Sequence, residues 1–522
     1  MFLTVLAACA AVFGCLMVSR RPLHYFQLES YQFPGYWKSC KRNKNRLLIS
    51  CMLWPVLWGA AVTVLGILGT HGVSLWVMIP LTAVVIAWQL LSAWRLQLKL
   101  KQTPEKKKFV VTARVKRLYG ALTVVLLLVA LFCAPLLGLL PLWVMLAGMI
   151  AWPVEKGIQR MYMRDAQRKM EAVPGLIRIG ITGSYGKTSV KNMLYAILSQ
   201  KYNVLSTPAS FNTPMGLTRV LRERLDSGHQ VFLAEMGARH CRDIRELTDF
   251  IHPTIGILTS VGPQHLDTFK TLENIISTKY DLVRALPAEG FAVFPEDGGI
   301  CTDLYEKTAH VPALIVGRVG GDAWAEDISV SARGSAFTLC FSDGTKIACE
   351  TKMLGAHNIS NILLCAATAR RLGLTPAQIA RGISQIKPVE HRLQLLDRTG
   401  SYTVIDDAFN ANPAGAKRAL EVLRLFQGRR VIVTPGMVEL GAEEENYNRA
   451  FGRQMAECVD VAVLIGLKHT LPIREGLLES GFKEENIHSF ASLNEATVWL
   501  RGEMRQGDYV LYENDLPDNY NE

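Results

Sequence analysis

The run Ile179-Gly180-Ile181-Thr182-Gly183-Ser184-Tyr185-Gly186-Lys187-Thr188-Ser189 constrains the fold of this 522-residue chain more than any other stretch. It reads as an apolar strand entering a glycine loop, then a helix that opens on Lys187 and Thr188. A buried strand leading directly into a helix belongs to an α/β architecture with a mainly parallel sheet. Backbone N–H groups of the loop and the positive end of the helix form a cradle for phosphates. Lys187 can reach the terminal phosphates, and the Thr188 hydroxyl is placed for Mg²⁺. The strict pattern would have glycine where Ile181 stands, so the fit is to the narrower form TGxxGKTS. Gly183, Ser184, Gly186, Lys187, Thr188 and Ser189 are therefore the expected ATP-binding residues.

Charge is unevenly placed. Of 57 Lys and Arg and 46 Asp and Glu, residues 1–174 hold 21 and 5, a local balance of +16, which leaves the remainder at −5. The same third of the chain carries apolar runs at about Leu3–Val18, Leu47–Gly69, Val73–Trp94 and Ala121–Trp152. Three of these approach the roughly 20 residues of a spanning helix, and the fourth, with Pro135 and Pro141 near its middle, reads as two connected helices. A basic membrane-proximal region accounts for the charge and argues against a nucleic-acid surface. Basic residues cluster in 20–46 and 95–117, which makes both segments cytoplasmic by the positive-inside rule. The parity then puts the N-terminus outside and everything from Lys156 inside, in a multi-pass protein of the cell membrane. The first run lacks the basic opening of a signal peptide and reads as a retained span. Eleven cysteines without metal-ligand spacing fit reduced thiols.

Beyond the loop, Val231-Phe232-Leu233-Ala234 is an apolar strand ending in Glu235-Met236-Gly237. A carboxylate at a strand end beside a phosphate loop is where a second ligand to nucleotide-bound Mg²⁺ is expected, although an ordinary exposed glutamate has the same local pattern. Ile255-Gly256-Ile257-Leu258 leads to Gly262-Pro263-Gln264-His265-Leu266-Asp267, where a lone histidine is more often structural than catalytic. Lys279, in Ser277-Thr278-Lys279-Tyr280-Asp281, reads by itself as a solvated helix lysine.

In this order and spacing, TGxxGKTS, EMG, GPxHLD and the lysine helix resemble the Mur ligase family. The resemblance continues through Gly355-Ala356-His357-Asn358-Ile359-Ser360-Asn361, His391-Arg392, Asp406-Asp407-Ala408-Phe409-Asn410-Ala411-Asn412-Pro413 and Met437-Val438-Glu439-Leu440-Gly441, and it spans about residues 176–465. It implies an ATP-dependent amide ligase of peptidoglycan precursor synthesis that works through an acyl phosphate. The implied substrates are a UDP-MurNAc-tripeptide-like carboxylate and the amine of D-alanyl-D-alanine. By the same resemblance Lys187 contacts the β- and γ-phosphates, and Thr188 and Glu235 hold one Mg²⁺. His265 ligates a second, Lys279 is carbamylated and helps organise that site, and Asn358 meets the adenine. Arg392 and Asp407 reach phosphates and ribose, while Asn212, Asn410 and Asn412 lie toward the substrates.

The implied organisation is a transmembrane region of four or five helices over 1–153, a juxtamembrane helix over 154–174, an ATP-binding α/β domain over 175–388 with added strands at about 322–350, and a Rossmann-like domain over 389–522. Two features depart from the family. The UDP-binding domain is replaced by apolar helices, and the lysine-containing KGS loop has no match. The chain instead runs Tyr512-Glu513-Asn514-Asp515-Leu516-Pro517-Asp518-Asn519-Tyr520, which is open to reading as a substrate segment, an Mg²⁺ contact or a disordered end. Membrane lipid and other cell-wall enzymes are the expected partners. A lipid-linked acceptor and a poly-γ-glutamate-type polymer remain open as substrates. A transporter component or nucleotide sensor is the alternative of another class, although no transporter signature follows the loop.

Overall fold

The computed structural model describes residues 1–102, 108–208, 211–396, 402–409, 412–438 and 440–515. The chain divides into two compact units, one built from residues 1–161 and one from 162 to the end of the described chain.

In the first unit, four segments are long and apolar enough to cross a membrane: Phe2–Leu28, Leu48–Thr70, Leu75–Leu100 and Ala113–Glu171. The helix Phe2–Val18 packs against Trp54–Thr70, Leu75–Gln102 and Ala113–Cys133. Small residues set how closely these elements approach. A Cβ on Gly59 would stand 2.1 Å from the Ala134 carbonyl oxygen. The long fourth run is interrupted, as its prolines foretold, by a 3₁₀ segment, Ala134–Leu139. The basic stretch 20–46 is helical in short pieces, Arg20–Leu28, Phe33–Arg42 and Lys44–Leu47. One expectation needs correction. The juxtamembrane helix is not a separate element, because Leu140–Glu171 runs unbroken through Pro153. Pro153 costs that helix one i→i−4 hydrogen bond, and the helix continues through it.

The second unit holds two sheets. The first has β1 (Ile177–Thr182), β2 (Val204–Ser206), β3 (Val231–Glu235), β4 (Ile255–Leu258), β5 (Phe291–Pro295), β6 (Ala313–Val316), β7 (Ala323–Ser331), β8 (Gly334–Phe341) and β9 (Lys346–Thr351), in the order 2-3-1-4-5-6-7-8-9. Strands up to the β6–β7 pair run parallel, and β7, β8 and β9 form antiparallel hairpins in the stretch expected to add strands. The central strands read as unbroken apolar runs because both faces are covered, β3 and β4 being buried throughout. One face packs on the helices Lys187–Leu198 and Ala356–Arg371. The other takes Leu217, Leu221 and Phe250, together with Ala166 and Met170 from the end of the helix Leu140–Glu171.

The second sheet has β10 (Gln394–Leu396), β11 (Tyr402–Asp407), β12 (Arg430–Thr434), β13 (Val461–Ile465), β14 (Ile487–Phe490) and β15 (Asp508–Glu513), ordered 10-11-15-12-13-14. Only β10 is antiparallel to its neighbour. Both sheets thus present the carboxyl ends of parallel strands, where crossover connections leave a crevice for ligands.

Candidate nucleotide and ligase site

The glycine loop leaves β1 at Thr182 and is held from behind by the segment after β4. The Ser184 amide donates to the Ser260 carbonyl at 2.6 Å, the Ser184 hydroxyl to the Gly262 carbonyl at 2.8 Å, and the Tyr185 amide to the Ser260 hydroxyl at 3.1 Å. Gly183 (φ 154°) has no room for a side chain, since a Cβ there would fall 2.0 Å from the Thr259 hydroxyl. Gly186 (φ 82°) turns the chain into the helix Lys187–Leu198.

Lys187, the first residue of that helix, folds back so that its ammonium donates to the Gly183 and Ser184 carbonyls at 2.7 and 3.0 Å. Lys279, from the helix Leu272–Arg284, donates to the same Gly183 oxygen at 2.9 Å and is 2% exposed. Two amines crowd one carbonyl. Burial lowers Lys187 to about 8, against the pull of Glu235. Burial first, and the Lys187 charge second, hold Lys279 well below the usual lysine range. The solvated-lysine reading of Lys279 is therefore overturned.

Glu235 ends β3, directly across from Ile181 of β1. Its Oε1 accepts from the Thr188 hydroxyl at 3.2 Å and the Asn212 amide at 3.1 Å, and its Oε2 accepts from the Lys191 ammonium at 3.1 Å. Thr188, Glu235 and Asn212, read separately in the sequence, form one cluster around the buried Glu235 carboxylate. Thr188 and Glu235 are hard oxygen donors of the kind Mg²⁺ accepts alongside substrate phosphates. Among the described residues no set of three His, Cys, Asp or Glu side chains converges as a metal cage. Ser189 lies buried in the first turn of the same helix. His265 stands in a left-handed conformation (φ 55°) at the start of the short helix Leu266–Phe269.

Asn358 is buried on the helix Ala356–Arg371, its amide donating to the Leu354 carbonyl at 2.8 Å and its Oδ1 accepting from Asn361 at 3.4 Å. Asn361 in turn backs Gly186, its Oδ1 lying 3.1 Å from a Cβ built there. The neighbouring His357 is kept neutral, lowered to about 3 by burial and then by the charge of Arg418.

The second sheet delivers Arg392 and Asp407. The Arg392 guanidinium lies 4.5 Å above the Phe409 ring, which serves as its platform. Its charge interacts with Asp407 and with Glu235 of the first sheet, so both sheets contribute to one field. Asp407 Oδ1 accepts from the Leu393 amide at 3.1 Å, and burial raises its carboxyl to about 6, with Arg392 opposing. His391 meets Asp406 at 2.7 Å. Asn412 caps the helix Pro413–Leu423, accepting from the Gly415 amide at 2.8 Å. Asn410, Glu439 and residues from Leu516 onward lie outside the described residues.

Two residues escaped the sequence reading. Lys191 follows Lys187 by four and Thr188 by three, helical spacing that puts it on the same face, and this signal was available. Glu513 ends β15 in register with Asp407, is 1% exposed, and accepts from the Thr434 hydroxyl at 3.0 Å. Burial and then Asp407 push its carboxyl up to about 8. Nothing local marks it, because it becomes a neighbour of Asp407 only when the sheet forms.

The sequence pattern of the Mur ligase middle domain matches residues 181–369, and that of the Mur ligase glutamate ligase domain matches residues 391–512. The UDP-N-acetylmuramoyl-tripeptide–D-alanyl-D-alanine ligase of Mycobacterium bovis is 32% identical over 360 residues, covering 65% of this chain and 70% of the relative. That of Bacillus subtilis is 26% identical over 338 residues, covering 64% and 72%. Among solved structures, MurF from Acinetobacter baumannii superposes with a TM-score of 0.62 at 25% identity, covering 68% of this chain and 77% of that one. The MurF ligase of Thermotoga maritima in complex with ADP does so with a TM-score of 0.61 at 24% identity, covering 68% and 80%. With this coverage and the strand-end residues in place, the chain belongs to the Mur ligase family of ATP-dependent ligases.

Proposed function

We propose that this protein joins D-alanyl-D-alanine to a UDP-N-acetylmuramoyl-tripeptide, with its ligase unit on the cytoplasmic side of a membrane crossed by the apolar helices. The observation that carries the reading is the meeting of Lys187, Thr188 and Glu235 at the ends of one parallel sheet with Arg392 and Asp407 from the next.

A carboxylate is a poor electrophile, and phosphate gives it a leaving group. An oxygen of the peptide carboxylate takes the γ-phosphoryl group and ADP leaves. The amine nitrogen then attacks the acyl carbon, the bond to phosphate breaks, and nitrogen sheds a proton as the amide forms. Lys187 neutralises the β- and γ-phosphates in this reading, and Arg392 supplies a second positive charge where anions crowd. Thr188 and Glu235 would hold Mg²⁺, which screens the phosphates when bound, and His265 is the proposed ligand of a second ion. Lys279, buried against Lys187, is the proposed carbamylation site: its neutral amine adds to CO₂ with loss of a proton, which places an anion beside the Lys187 charge. Asn358 is assigned to adenine, and Asn212, Asn410 and Asn412 to the substrates. Enclosure between the two sheets protects the acyl phosphate from water.

The four long apolar helices favour one second reading, a lipid-linked acceptor. Phosphate release by the detergent-purified protein, with each acceptor and D-alanyl-D-alanine, tests both. Amine-dependent release with a UDP-linked amide product, lost in Lys187→Ala, supports the first. Turnover only on a lipid-extractable acceptor replaces it with the second.

A further inference from the structure

The Lys191 side chain is wholly buried, 0% exposed, and its ammonium sits 3.1 Å from an oxygen of Glu235 that is itself 1% exposed. A buried ion pair recovers its desolvation cost poorly, so its presence beside a phosphate loop calls for a reason other than stability. Three positive groups act on the single Glu235 carboxylate: Lys191, Lys187 and Arg392. Burial lowers Lys191, and the Glu235 charge and hydrogen bond pull it back up. Lys187 and Arg392 can turn to phosphates. Lys191, one turn inside the helix, contacts the carboxylate oxygen that the Thr188 hydroxyl does not.

The electrostatic consequence follows from this geometry. A divalent cation approaching Thr188 and Glu235 alone meets one negative charge already opposed by several positive ones. In a poorly screened site that balance repels the cation. The phosphates of ATP reverse the sign.

We propose that Lys191 is a positioning residue that fixes the Glu235 carboxylate beside Thr188 and makes divalent-metal binding conditional on bound nucleotide. The metal then enters with ATP, and the empty site stays metal-free. This rests on the nucleotide reading of the loop and not on the identity of the acceptor.

Mn²⁺ titration of the full-length protein in detergent, followed by loss of the free-ion paramagnetic resonance signal, tests the idea with and without a non-hydrolysable ATP analogue. Wild type is expected to bind Mn²⁺ at least tenfold more tightly with the analogue than without it. In Lys191→Met the nucleotide-free affinity should rise about tenfold and the gap should shrink, while Lys191→Arg should behave as wild type. Equal Mn²⁺ affinity of the wild type with and without the analogue overturns the proposal, even if the methionine variant fails to fold. Unchanged nucleotide-free affinity in a folded Lys191→Met, with its melting temperature retained, overturns it too. Failure of the wild type to bind the analogue at all would instead count against the nucleotide reading.

Discussion

Lys187 and Lys279 share the Gly183 carbonyl oxygen, and this crowding has measurable effects. Lys187 titrates near 8 before nucleotide arrives. Below that pH it is already charged, so ATP affinity should be flat there and weaken by up to about tenfold per pH unit above it. Calorimetric titration should show this slope in wild type and none in Lys187→Met, whose affinity is expected to fall at least about a hundredfold through loss of charge-assisted bonds. Glu513 carries the opposite sign. Its folded carboxyl titrates near 8, against about 4.3 for an unfolded glutamate, so ionisation of the unfolded chain alone lowers stability as pH rises between those values. Below that window both states are protonated, and above it both are charged. The melting temperature of Glu513→Gln relative to wild type should therefore climb from pH 5 to 8 and then level. A constant difference would show that Glu513 is charged in the folded protein.

At the scale of elements, close approaches decide which substitutions matter. The glycine loop lies against the Thr259–Gly262 segment through a network of hydrogen bonds, and at Gly183 the Thr259 hydroxyl leaves no space for a Cβ. Gly183→Ala should cost nucleotide binding at least tenfold, because the loop must shift to admit a methyl group. The binding isotherm checks this. Gly59→Val should lower the thermal stability of the apolar unit in detergent, because the helix Trp54–Thr70 meets the Ala134 backbone there. The hairpin strands β7 to β9 were legible from alternation in 322–350, and β11, β12 and β13 from apolar runs. β10 and β14 were not, being short and half-covered at the sheet edges. The end of β15, Tyr512 and Glu513, falls in the stretch left open as a substrate segment, an Mg²⁺ contact or a disordered end, and its place as a strand emerges only once it is seen between β11 and β12.

Over the whole molecule, the apolar helices and the ligase unit each have their own core. Removal of residues 1–161 is therefore expected to leave a folded unit that binds ATP and fractionates with soluble protein, while the full chain fractionates with membranes. Calorimetry and fractionation of the two chains would check it, and a truncated chain without a cooperative melting transition would refute it.

Local physics wrote much of this into the sequence. A strand running into Gly183 and Gly186 and then into Lys187 specifies a phosphate loop, because only glycine fits those backbone angles and only a helix start offers that many free amides. Long apolar runs flanked by lysine and arginine mark helices by length alone. Pairings across the chain were beyond such reading. Lys191 and Glu235 lie 44 residues apart and meet because β3 pairs with β1 across a crossover. Asp407 and Glu513 meet because β15 inserts beside β11. Whether a lysine is a solvated cation or a buried amine depends on what the sheet order brings against it, and only the tertiary structure supplies that.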